Sequence, residues 1–105
     1  MDSTAGKRIL DTEKLEKVAF VLKTIAHPLR IGIVDLLTTY DRLSVNEICY
    51  RLDAEQSLIS HHLSNMKLKG ILGSEREGKN IFYFLKLKEV TKVIDCMENC
   101  DIVNF

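Results

Sequence analysis

Cysteine is too scarce in this chain for a disulfide framework. The three residues, Cys49, Cys96 and Cys100, are an odd number in a chain of 105. Long apolar runs are absent as well. No segment approaches transmembrane length, and MDSTAGKRILDTEK lacks the apolar stretch of a signal peptide, so a soluble, cytoplasmic protein with no membrane partner is expected. There is no glycine-rich phosphate loop, no metal triad, and no Ser or Cys beside a plausible base, so neither an enzyme nor a cofactor is expected. Repeats and low-complexity segments are missing too, and the length suits one domain. Net charge is also lacking: the formal balance is +0, which by itself does not look like a nucleic-acid binder.

The distribution of that charge alters the picture. Lys67, Lys69, Arg76 and Lys79 follow one another with only Glu75 and Glu77 against them, whereas Glu89, Asp95, Glu98 and Asp101 face a single Lys92 near the end. One edge is basic and the far end acidic. Affinity for DNA depends on such a local patch, because the patch displaces counterions.

The stretch from Gln56 to Leu72, QSLISHHLSNMKLKGIL, organises the rest. At helical spacing Ile59, Leu63 and Met66 form one apolar stripe. Ser57, Ser60, His61 and Ser64 form a second stripe that is short, polar and free of carboxylates. Ordinary solvated faces are rich in Glu and Lys. Hydroxyls, an imidazole and an amide instead suit base edges in the major groove, so Gln56, Ser57, Ser60, His61 and Ser64 are the expected base readers. Lys67, Lys69, Arg76, Lys79 and Asn80 are the expected backbone contacts.

Around that helix the chain reads as follows. Residues 1–12 are expected as a loose polar tail that becomes helical near its end, and residues 13–105 as the folded domain. From Glu13 to Ala26, Leu15, Val18, Ala19, Leu22 and Ile25 repeat at helical spacing; Phe20 and Val21 widen the stripe, as in a helix that is central or shared with a partner. Ala26-His27-Pro28 breaks it, with His27 expected as an interhelical polar contact, and a buried helix runs from Leu29 to about Thr38. Thr39 to Leu43 is expected as a polar loop. Ser44 and Glu47 make a capping box for a helix from Val45 to Leu52. After a short turn comes the reading helix, stopped by Gly70: helix, turn, helix. Ile81, Tyr83 and Leu85 then alternate with Phe82, Phe84 and Lys86, a strand whose partner is Ser74 to Glu77, with Glu77-Gly78-Lys79-Asn80 as the hairpin turn. Glu89 to Val103 reads as a last helix with Val90, Val93, Ile94, Met97 and Cys100 on one side. The expected class is mainly α with a small β-hairpin: a winged helix-turn-helix of about five helices plus a wing.

AHPLRIGIVDLL, LSVNEI, QSLISHHLSNMKLKGIL and REGKNIFYFL, in that order, resemble the ArsR-type (ArsR/SmtB) bacterial repressors from about Leu15 to Leu85. The resemblance implies a homodimer with the first and last helices at its interface. It further implies double-stranded DNA as partner, an inverted-repeat operator, and repression until an inducer weakens the grip. Gln56, Ser57, Ser60 and His61 match the family's base-reading positions, and His62 its inward histidine. Asp53 and Glu55 depart from the Gly and Ser commonly found in the turn. Asp tolerates left-handed angles, but Glu caps poorly and faces incoming phosphates.

The family's thiolate site would fall on Ser44 and Asn46, which supply no soft ligand, and its last-helix zinc site needs histidines that this chain carries only at His27, His61 and His62. Neither familiar metal site is present. Cys96 and Cys100, one turn apart, offer a thiol, persulfide or soft-metal sensor as an alternative; against it, free cysteines commonly act as small buried hydrophobes. A winged-helix module that binds protein is the other alternative, and the inducer is open.

Overall fold

The computed structural model describes residues 11–99. The polar tail lies outside them except at its end, where Thr12 is already helical. Asp11 caps α1 (Thr12–Ile25) by accepting from the Lys14 amide at 2.9 Å, so the helix begins one residue earlier than its apolar stripe. α2 (Pro28–Thr39) carries proline in its first turn, where the missing N–H is harmless. Its cap is the His27 side chain, whose Nδ1 accepts from the Leu29 amide at 3.1 Å, rather than an interhelical contact alone.

β1 (Leu43–Ser44) corrects an expectation. The stretch expected as a loop ends in a short strand pairing antiparallel with β3, and Leu43 is buried. α3 (Val45–Leu52) opens with the full Ser44–Glu47 capping box. It closes on Asp53 at φ 52°, a left-handed cap that Asp tolerates. α4 (Gln56–Leu68) follows, and Glu55 makes no side-chain cap bond to it.

β2 (Leu72–Glu77) and β3 (Asn80–Leu85) form the hairpin, longer on the β2 side than Ser74 to Glu77, in a sheet of order β1-β3-β2. Glu77 pairs with Asn80 across the two-residue loop Gly78-Lys79. Of these two loop residues only Gly78 has positive φ (63°), as a type II′ turn requires. On the sheet's outer face a Cβ at Gly73 would lie 2.5 Å from the Phe84 ring, so only glycine lets that ring come so close to the strand. α5 (Val90–Glu98) is described for nine residues; the remainder of the expected helix lies outside the described residues. Among the described residues no helix is long and apolar enough to cross a membrane.

The core joins Ile33, Val34 and Leu37 of α2, Ile48 of α3, Ile59, Leu63 and Met66 of α4, Leu72, Tyr83 and Leu85 of the sheet, and Val90 and Ile94 of α5. α1 stands apart. Every residue from Thr12 to Phe20 is exposed, and Thr24 and Ile25 alone are fully buried. Leu15 (46%), Val18 (43%), Phe20 (47%) and Leu22 (44%) stay about half exposed, so α1 is not central to this chain.

Candidate nucleic-acid interface

α4 is fixed by its inner side. Ile59, Leu63 and Met66 are fully buried, which turns Ser57, His61 and Ser64 to solvent on the opposite side; Ser60 is half-buried at the margin. The outward line ends on Leu68, 83% exposed, a residue the sequence reading left out. Its signal was available, since it stands one turn beyond Ser64 on the same stripe. Gln56, at the first turn of α4, meets the wing tip. Together with Ser44, Val45 and Asn46 at the start of α3 and Lys79, Asn80 and Ile81 of the hairpin, it lines a polar cleft of about 160 Å³.

The expected backbone contacts divide. Lys79 and Asn80 share that cleft with Gln56. Arg76 is exposed on β2, on the same side of the hairpin as Ile81, its cross-strand partner. Lys67 is exposed near the end of α4. Lys69 stands elsewhere: its ammonium lies 5.7 Å from the Phe20 ring, beside Glu13 and Glu16 of α1, and not with the wing.

Beneath the polar ridge sits a hub that sequence reasoning missed. Arg30 of α2 donates from Nε to His62 Nδ1 at 2.9 Å, and from Nη1 to the Thr24 carbonyl at 2.9 Å and Asn65 Oδ1 at 2.8 Å. One guanidinium therefore joins the end of α1, the start of α2 and the inner side of α4. His62 is 5% exposed, with the His27 ring centroid 4.5 Å away, and it is structural, as its match in the family implied. Because its Nδ1 accepts from Arg30, the neutral ring carries its proton on Nε2, a buried atom with no hydrogen-bond partner among the described residues.

Burial, with the positive charges of Arg30, His27 and His61 adding to it, pushes the His62 pKa below its ordinary value. The unfolded chain returns that imidazole to about 6.5 and so binds more protons below that pH. Stability should accordingly fall as pH falls through about 6.5, and the loss should level off below the depressed folded value. His62→Gln, whose amide oxygen can still accept from Arg30, should flatten the melting temperature between pH 7.5 and 5.5. An unchanged slope in that variant would remove His62 as the cause.

The cysteines differ from one another. Cys49 is half-buried, and desolvation pushes its thiol pKa up, as expected of a packing residue. Cys96 is exposed, so the reading as a buried hydrophobe fails for it within this chain. Cys100 lies outside the described residues. Among the described residues no group of three His, Cys, Asp or Glu side chains is placed to hold a metal ion.

Helix-turn-helix plus a three-stranded wing defines the class as a winged helix-turn-helix regulator. Residues 27–74 match the family model described as "Bacterial regulatory protein, arsR family". An HTH-type transcriptional regulator of Methanocaldococcus jannaschii is 36% identical over 86 residues, covering 79% of this chain and 97% of that protein. The transcriptional repressor PagR of Bacillus anthracis is 39% identical over 80 residues, or 76% of this chain and 80% of that one. Its crystal structure superposes with a TM-score of 0.74 over 83% of this chain and 99% of its own. A homodimeric winged helix-turn-helix DNA-binding domain of Mycobacterium bovis, 25% identical, superposes with a TM-score of 0.71 over 90% of this chain and 87% of its own. The chain belongs to the arsR family of regulatory proteins.

Proposed function

We propose that this chain is a sequence-specific DNA-binding repressor, a single-domain protomer working in the cytoplasm as a homodimer on an inverted-repeat operator. The observation that carries the reading is the exposed, carboxylate-free line of Ser57, His61 and Ser64, held outward by a buried opposite side and flanked by the wing tip. Gln56, Ser57, Ser60, His61 and Ser64 face bases. Lys67, Arg76, Lys79 and Asn80 hold phosphates, and Lys69 does so at the α1 end of the same helix. The kinship with PagR, named a transcriptional repressor, supports the sign of regulation, and the M. bovis homodimer supports the assembly. The apolar residues left exposed along α1 support it too.

Footprinting upstream of the chain's own coding region would supply the operator, and band-shift titrations would then apportion the contacts. His61→Ala and Gln56→Ala should each cost about 1–3 kcal/mol on the operator and much less on random duplex. Lys79→Ala should weaken both duplexes alike and lower the slope of log affinity against log salt. If His61→Ala and Gln56→Ala left the ratio of specific to random binding intact, α4 would not be the reading element.

A further inference from the structure

The wing carries two carboxylates where a phosphate-gripping hairpin would be expected to have none. Glu75 and Glu77 alternate with Arg76 along β2, so both lie on the sheet's outer face and Arg76 on the other. Arg42, one residue before β1, engages both of them. Its Nη1 donates to Glu75 Oε1 at 2.7 Å, and its Nη2 to the two Glu77 oxygens at 2.9 Å each. The guanidinium also lies 4.3 Å from the ring centroid of Phe82, the residue paired with Glu75 across the hairpin. Asp41 and Lys88, which line the same hollow, offset each other in charge.

We propose that Arg42 is a positioning residue for DNA binding, neutralising the wing's carboxylates and fastening its outer face to the segment that leads into α3. The inference rests on the DNA-binding reading above. Without Arg42, the charges of Glu75 and Glu77 cancel those of Arg76 and Lys79, and the hairpin meets the polyanion with no net attraction. With Arg42 the balance is positive, and the carboxylates stay gripped on the side away from Arg76. A guanidinium that forks to two carboxylates while lying over an aromatic ring is an arrangement lysine cannot reproduce.

Fluorescence anisotropy on operator and random duplex at two salt concentrations tests this with Arg42→Gln, the pair Glu75→Gln/Glu77→Gln, and the three substitutions combined. Arg42→Gln should weaken both duplexes about three- to tenfold at low salt, with a smaller deficit at high salt. The combined variant should bind at least as tightly as wild type, because the carboxylates that needed neutralising are gone and Arg76 and Lys79 stand unopposed. Affinity that stays low in the combined variant would mean that Arg42 grips phosphate itself or merely holds the fold, and would overturn the proposal. So would an Arg42→Gln protein that binds as wild type does. Wild-type protein that bound neither duplex at low salt would sink the DNA-binding reading instead, and this inference with it.

Discussion

Leu22→Glu should turn the proposed dimer into monomers and lower affinity for an inverted-repeat duplex about a hundredfold or more, since two half-site contacts would no longer be tethered. Leu15, Val18 and Leu22 fall on one side of α1 at helical spacing and remain about half exposed. Val18, Val21 and Leu22 form one wall of a groove whose other wall is Leu87, Val90 and Val93 around the start of α5. A contiguous apolar surface of this kind marks an interaction site, and a second copy offers the same surface in return. A carboxylate at its centre would be buried without a partner, at a cost of several kcal/mol. The substitution spares the core, because Leu22 is outside it, so circular dichroism should show the helices intact. Sedimentation should give about twice 12.0 kDa for the wild type and 12.0 kDa for the variant. A variant that remained dimeric would place the interface elsewhere. One that became monomeric without losing operator affinity would show that pairing is unnecessary for binding.

What the sequence revealed was whatever repeats locally. Ile59, Leu63 and Met66 at helical spacing placed the buried side of α4, and with it the exposed Ser57, His61 and Ser64. The Ser44–Glu47 box marked the start of α3, and Gly78 the hairpin loop. The width of the α1 stripe was legible, but whether it meant a central helix or a shared one was not, since that depends on what lies beside it. β1 was missed because two residues are too few to show alternation, and Leu43 is a strand only through its pairing with Tyr83, distant in sequence. The same reason hid both arginine hubs. Arg30 looks like a lone charge in an apolar run, and its partners His62 and Asn65 lie 32 and 35 residues away. Arg42 meets Glu75 and Glu77 at separations of 33 and 35. Polar contacts of this range have no period to read, so only the packed chain shows them.

Arg30→Met is expected to destabilise the chain by about 2–4 kcal/mol, lowering the melting temperature by roughly 10–20 °C. The loss of three hydrogen bonds is the smaller part. The larger is what they leave behind: His62 Nδ1, buried on a ring whose Nε2 already lacks a partner among the described residues, the Thr24 carbonyl, and the half-buried Asn65 amide oxygen. A buried acceptor stripped of its donor costs more than the bond contributed, whereas removing both members can be nearly neutral. Arg30→Met combined with His62→Leu should therefore be more stable than Arg30→Met alone, with a coupling of about 1–2 kcal/mol in urea titrations. Arg30→Lys should not rescue, because a single ammonium does not offer the separate Nε and Nη1 donors that serve the three acceptors. The damage should extend to function, since Arg30 is what joins the end of α1 to the inner side of α4. In surviving folded protein, sequence preference should decline more than affinity for random duplex, because the reading ridge depends on a fixed α4 and the phosphate grip does not. Equal losses on both duplexes would confine Arg30 to stability, and additive single effects would show that Arg30 and His62 act independently.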